Sequence, residues 1–565
     1  MELSSLKKDN LFLILLIIVI ILGLYVRLFD FSQTGYYGDD MTTIPTGLLW
    51  FYPHDYYPGL AGQGEPAFGN LIIGSFCMLS GEDFSKVTKI QPMFYPGREE
   101  LIGEAMTNAE PYCKSSVYVF GILFFLIISL FSILLLPRYS AFFSISFFAF
   151  YPPILYYGKW IHVDIIGYLF IVLGLLFLWL AYKEERASKK ELIYFVLGFG
   201  SLGLALATKL PNAIYLLFGL FIILEKYKYE ALSLLKKILK LSFEINQENL
   251  NKKSFYKTIL LSGISYLFFL LIPLEFSLKN LFLVLQKYRL VNPERSGLAI
   301  NTSLLNDISD FLLNTTMLNM LIFIFAFYIL FRLFRTKRTD YENFILYLFS
   351  FFLLAVILFP AVNYLRIFNA FFFGLIFLMS LTFSGRDYSL NSLVKKKSLV
   401  LAVLVVLTIS SGYIAFKDSP YYVVKNPVVC KLNSGVCESV TPIDFYGFSA
   451  KQTAEYLSTI LEDNETFLPQ SVILYYTRRD EGYPHYIFVE QVNKLAGRNP
   501  TLEEYIRYFR PNGRIVRYYL LNPNKPSAER DLLYDKYNPI HTIVLNNKNT
   551  VMVYDLKSIF QQYYR

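Results

Sequence analysis

Residues Ile161–Lys209 read IHVDIIGYLFIVLGLLFLWLAYKEERASKKELIYFVLGFGSLGLALATK. Two apolar blocks, 161–182 and 192–208, flank a short basic loop, Lys183–Lys190. Each block is close to the ~20 residues that a helix needs to cross a bilayer. The isolated charges stand at the other ends: His162 and Asp164 where the first block begins, Lys209 where the second stops. This spacing predicts two antiparallel membrane helices with lysines and arginines on one side and a few solitary polar residues on the other.

The same reading extends along the chain. Further apolar blocks lie at Leu11–Phe29, 117–136, 140–157, 211–224, 256–274, 309–331, 342–359, 364–383 and 398–416, which makes eleven spans. Of 565 residues, 55% are apolar and only 17% charged, and the mean hydropathy is +0.41. A soluble chain of this size needs more polar surface than that. Threading the spans in alternation puts the N-terminus, Arg138, Lys183–Lys190, 225–257, Arg332–Arg338 and Arg386–Lys397 on one face. Lysine and arginine concentrate there, so that face is cytoplasmic by the positive-inside rule. The net charge of +9 therefore reports topology, and no nucleic-acid partner is expected.

The expected organisation is a transmembrane domain over 1–416 with a large first outer loop, 30–115, and an extracytoplasmic soluble α/β domain over 417–565. The tail is predicted to hold a helix at Ser449–Leu461, a strand at Ser471–Tyr476 and helices near 484–496 and 501–509. Strands follow near 514–520, 541–545 and 550–554. None of the four cysteines forms a CxxC, which excludes the common zinc and thioredoxin-like motifs. Cys77 and Cys113 belong to the outer loop and Cys430 and Cys437 to the tail, which suggests disulfides in an oxidising compartment, with free buried thiols as the alternative. Asn301-Thr302-Ser303 and Asn464-Glu465-Thr466 match the glycosylation sequon.

Several polar groups stand at the outer membrane boundary. Gly38-Asp39-Asp40 follows the first span by about ten residues. Adjacent carboxylates there are costly unless they meet a cation, a metal or a proton-donating substrate. One of them is able to accept a hydroxyl proton while its neighbour holds substrate; the plainer alternative is a solvated loop. His162 and Asp164 form an H-x-D pair, for which helix capping is the alternative to ligand binding. Arg27, Lys209, Arg366, Lys279, Lys287, Arg289 and Arg295 supply cations that suit an anion, a phosphate above all, or that snorkel to lipid headgroups. Glu65-Pro66 leads into the apolar run Phe68–Leu79, too short to span and expected to lie against the membrane.

Taken in order along residues 10–420, these features resemble the GT-C superfamily of glycosyltransferases, nearest to the branch of protein O-mannosyltransferases and the lipid A aminoarabinose transferase. Arg27-Leu28 followed by Tyr36-Tyr37-Gly38-Asp39-Asp40 is similar to the family's first-loop motif, with Asp where the family has Glu. Gly203-Leu204-Ala205-Leu206-Ala207-Thr208-Lys209 is similar to its Gly-x-Ala-x-x-x-Lys step. Asp164 corresponds to an acid opening an outer span, and Tyr364 with Arg366 to a late-span Tyr/Arg. Glu65-Pro66 departs from the family's segment, lacking its basic or His residue and second Pro.

The resemblance implies a mannosyltransferase-like enzyme that moves a sugar from a polyprenyl-phosphate donor, dolichyl-phosphate-like, to an acceptor hydroxyl outside the cytoplasm. The acceptor class is a protein, a lipid or a glycan, and membrane lipids are the other partners. Asp39 or Asp40 would be the base. Asp164, Lys209, Arg366, Arg27, Tyr364, Glu65 and His162 would bind substrate. No cofactor motif is present, and a divalent metal stays open because family members differ. The alternatives are a polytopic transporter or flippase of a lipid-linked or small solute, an oligosaccharyltransferase or ligase of the same superfamily, and a non-catalytic scaffold. Against the transporter stands the absence of repeated hydropathy halves and of paired broken helices.

Overall fold

The structure is a computed structural model. It describes residues 10–29, 40–52, 68–85, 103–159, 161–239, 251–291, 317–358, 373–384 and 397–417. In the tail it describes 465–469, 515–521, 533–534, 536–545 and 548–559, with a few single positions beside them. Two compact units emerge. One is drawn from Met1–Phe29, Gly62–Asn70 and Val117–Ser439, the other from Asp30–Ala61, Leu71–Ser116 and Val440–Arg565.

In chain order the larger helices are α1 (Asn10–Leu28), α2 (Asp40–Leu48), α3 (Phe68–Met78), α4 (Gly103–Leu135), α5 (Arg138–Phe150), α6 (Pro152–Tyr157), α7 (Asp164–Lys183) and α8 (Lys189–Thr208). They continue with α9 (Ile214–Lys226), α10 (Lys228–Leu239), α11 (Lys252–Leu271), α12 (Leu278–Val291), α13 (Met317–Leu333), α14 (Asp340–Leu358), α15 (Phe373–Phe383) and α16 (Lys397–Lys417). Among the described residues, Asn108–Leu135, α7, α8 and Lys252–Leu274 are long and apolar enough to cross a bilayer. Leu210–Lys226 with Lys228–Leu234, bent by 97°, makes a fifth if the pair counts as one span. The expectation of eleven crossings exceeds this number, although shorter apolar helices such as Phe12–Leu28, Asn319–Leu333 and Leu399–Tyr413 stand at other expected spans.

Side-chain placement bears out the membrane reading. On α11 the exposed positions are large and apolar (Leu260, Ile264, Leu267, Phe268), whereas Thr258, Ser262 and Ser265 are buried. Water would sort those residues the other way; lipid favours apolar groups outside and small or hydroxyl-bearing ones between helices. The Ser265 hydroxyl is spent on the Val196 carbonyl of α8 at 2.8 Å.

One expected span is different. The 140–157 block ends its helix at Phe150, because Tyr151 is extended and Pro152-Pro153 opens the separate α6. A residue before proline is sterically pushed out of the α region. Every residue of α5 from Ser140 to Phe150 is buried, and it packs against α1 and α16, so it is enclosed by neighbouring helices.

The α7–α8 hairpin is anchored at its basic end. Ser188 caps α8 by accepting from the Glu191 amide at 3.1 Å, and Glu191 accepts in turn from the Ala187 amide at 2.6 Å and the Tyr227 hydroxyl at 2.8 Å. Lys226 donates to the Ala181, Tyr182 and Glu184 carbonyls at 2.6, 2.9 and 2.5 Å, closing the C-terminus of α7. Along its length α8 packs between α7 and α11. A Cβ at Gly203 would lie 2.5 Å from the Tyr266 carbonyl oxygen. Gly203→Val is therefore expected to cost about 1–3 kcal/mol or more, read as a lowered melting temperature of the detergent-solubilised chain.

In the second unit, Cys77 and Cys113 form a disulfide with 4.4 Å between their Cα atoms; Cys430 and Cys437 lie outside the described residues. Closing a loop across 36 positions stabilises by roughly 4 kcal/mol in the chain-entropy model. Cys77→Ser, or reduction of the native chain, is expected to lower the unfolding temperature, and alkylation with peptide mapping to label Cys77 and Cys113 only after reduction.

The tail carries a four-stranded sheet of β1 (Glu465–Pro469), β2 (Ile515–Leu521), β3 (His541–Leu545) and β4 (Lys548–Asp555), in the order β1-β2-β4-β3. β1 runs parallel to β2, and the other pairings are antiparallel. Arg517 on the second strand bonds Glu465 on one neighbour at 2.6 Å and Asp555 on the other at 2.8 Å. Burial pushes the adjoining Tyr518 phenol up to about 12. The last three strands sit where alternation placed them. The first is an addition, since the strand expected at Ser471–Tyr476 and the helices at 484–496 and 501–509 fall outside the described residues. Thr466 of the second sequon belongs to β1, while Asn464 and Asn301 lie outside the described residues.

Candidate functional site

The α7–α8 hairpin brings Asp164 and Lys209 together. Asp164 is the first residue of α7 and Lys209 the residue after α8, and a 20-residue helix spans roughly 30 Å, so both lie at the end opposite the basic loop. The Lys209 ammonium meets Asp164 Oδ1 at 2.5 Å. Their side chains are 7% and 2% exposed. Burying such charges costs several kcal/mol per ion unless each finds its partner, and the α7 N-terminus adds a favourable dipole for the carboxylate.

Local structure aims the lysine. Lys209 leaves the helix with an extended backbone, φ −156° and ψ 129°. The Ala205 carbonyl accepts both the Lys209 amide at 3.1 Å and the Asn212 side-chain amide at 2.8 Å. The 3-10 turn Leu210–Ala213, with Pro211, then stops the helix. Gly203, Ala205 and Lys209 thus each have a structural reason for their spacing: close helix packing, the capping carbonyl, and the charge projecting past the end.

His162 joins from the same turn as Asp164. Its Nδ1 is 3.0 Å from Asp164 Oδ2, and the Asp164 amide approaches the same nitrogen at 3.4 Å. Nδ1 thus accepts from the Asp164 amide while facing the second carboxylate oxygen, and lysine holds the first. α3 starts against the pair. A Cβ at Gly69 would fall 2.7 Å from Val163 and 2.8 Å from the Thr208 methyl, the residues immediately before Asp164 and Lys209.

Arg27 has a different employment. It donates to the Gly23 carbonyl of its own helix at 2.7 Å and to the Phe148 and Ala149 carbonyls at 2.9 and 3.2 Å. The guanidinium also lies 4.1 Å over the Phe125 ring. It closes the C-termini of α1 and α5, where the helix dipole favours a cation. Sequence reasoning missed Lys159, which is buried and donates to the Phe29 carbonyl at 2.5 Å, tying the end of α1 to the turn before α7. Its signal was a lone lysine interrupting apolar sequence at the end of a block.

Asp39, Glu65, Tyr364 and Arg366 lie outside the described residues. The backbone of Asp40 begins α2. Among the described residues no three His, Cys, Asp or Glu side chains converge on a metal-sized centre.

No family model matches the chain, and no curated protein sequence does. Solved structures do. The chain is similar to ArnT from Cupriavidus metallidurans bound to undecaprenyl phosphate, with 13% identity, a TM-score of 0.44, and 95% of this chain and 97% of that one covered. It is similar to the oligosaccharyltransferase AglB from Archaeoglobus fulgidus in complex with an inhibitory peptide and a dolichol-phosphate, with 14% identity, a TM-score of 0.44 and coverage of 91% and 69%. A third is the arabinofuranosyltransferase AftD from Mycobacteria, with 12% identity, a TM-score of 0.43 and coverage of 96% and 39%. All three are GT-C superfamily glycosyltransferases.

Proposed function

We propose that this chain is a membrane glycosyltransferase that transfers a sugar from a polyprenyl-phosphate donor to an acceptor hydroxyl on the non-cytoplasmic side. The supporting observation is the buried Lys209–Asp164 pair at the end of two membrane helices. Charge placed at that depth is expensive and marks a functional site by default. A lipid-phosphate donor needs a membrane groove for its tail and cations at headgroup depth for its phosphate. The reading takes the eleven-span topology, the 1–416 and 417–565 division and a lumenal or periplasmic tail; the Cys77–Cys113 disulfide supports an oxidising compartment for the first outer loop.

In this reaction the acceptor oxygen attacks the anomeric carbon and the sugar–phosphate bond breaks from the opposite face, inverting the centre. Asp39 or Asp40 takes the hydroxyl proton, which typically contributes about 10²–10⁴-fold. The bond electrons go to the phosphate, which passes from a diester monoanion to a monoester dianion. Lys209, with Arg366 and Tyr364, stabilises that added charge. Mutual positioning contributes up to about 7–11 kcal/mol.

The test is purified chain in nanodiscs given radiolabelled polyprenyl-phosphate mannose, with other sugars in parallel. Label appearing in a product of inverted linkage is the expected result. An intact donor together with movement of a solute across the membrane would instead establish the transporter.

A further inference from the structure

The Lys209 ammonium is already occupied. Its partner is Asp164 Oδ1 at 2.5 Å, and the other carboxylate oxygen is 3.0 Å from His162 Nδ1. A phosphate that comes to Lys209 must share or take the ammonium from a carboxylate that repels it. The reaction sharpens this conflict, because the spent lipid phosphate carries one more negative charge than the donor. A lysine facing that product without opposition would retain it.

We infer that Asp164 is a displaceable counter-ion: it competes with phosphate for Lys209 and reclaims the ammonium after transfer, so that the lipid phosphate leaves. Asp164 is then a positioning residue and not a ligand of the phosphate. His162 Nδ1 lies 3.0 Å from the second oxygen, and a proton there would draw on that oxygen and slacken the hold on Lys209. The inference rests on the reading of Lys209 as the phosphate's cation, and the variants below separate the two.

The probe is undecaprenyl phosphate added to the full chain in nanodiscs, with affinity read from a titration and from ligand-induced thermal stabilisation. Asp164→Asn is expected to bind it at least about ten-fold more tightly, since a like charge a few ångströms away is removed. Its kcat and KM are expected to fall together as product release becomes limiting. Asp164→Glu should bind as the native chain does. His162→Leu shifts affinity the opposite way, about three-fold weaker by the same electrostatic reasoning, and keeps the test decisive if Asp164→Asn does not fold.

Unchanged binding in Lys209→Gln would overturn the phosphate reading itself. Weakened binding in Lys209→Gln, combined with equal or weaker binding in Asp164→Asn, would overturn the counter-ion alone. If Asp164→Asn does not fold, equal or tighter binding in His162→Leu has that same consequence.

Discussion

Lys209→Gln is expected to reduce sugar transfer by about 10²–10³-fold, the loss typical when one preorganised donor to a developing anion is removed. The substitution keeps a polar side chain of similar reach but removes the charge that meets Asp164 at 2.5 Å. It also leaves that carboxylate buried without its ammonium, which costs about 3–5 kcal/mol in comparable cases. Stability and catalysis therefore have to be separated. Thermal melting of each variant in the same nanodisc gives the first, and transfer rates well below the melting temperature give the second. Lys209→Arg retains the charge and should keep the fold while losing part of the rate, because a planar fork does not replace a point charge in a fitted site. A Lys209→Gln chain that folds and transfers at the native rate would remove the lysine from the mechanism.

The second large effect is expected at the acidic pair. Asp39→Asn and Asp40→Asn are each conservative in size, and one of them should lower turnover by about 10²–10⁴-fold. The other should fall much less, and the comparison assigns the base that the Asp-Asp sequence leaves open. Undecaprenyl phosphate should bind both variants as tightly as the native chain, since the base acts on the acceptor's proton and not on the phosphate. Two variants with native transfer rates would exclude the pair from proton transfer.

Much of this protein was legible from local sequence. The length of an apolar run and the position of a charge at its end are properties of contiguous residues, so α7, α8 and the isolation of Asp164 and Lys209 could be read directly. Glycine 203 was legible as a spacing, though its reason, the Tyr266 carbonyl, was not. The helix break that Pro152-Pro153 imposes inside the 140–157 block was not legible, because apolar content alone does not register it. β1 was missed because five residues ending in proline carry little alternation, and the more apolar neighbouring run drew the assignment.

The sequence by itself determined a membrane chain with a hairpin whose solitary charges gather at the end away from the basic loop. Only the tertiary structure decided which of those charges meet. Lys209 finds Asp164 across 45 positions, Arg27 is consumed by carbonyls more than 120 positions away, and Lys159 closes onto Phe29. Hydropathy is summed along the chain, whereas an ion pair depends on how helices lie side by side, and that is set by close packing between residues distant in sequence.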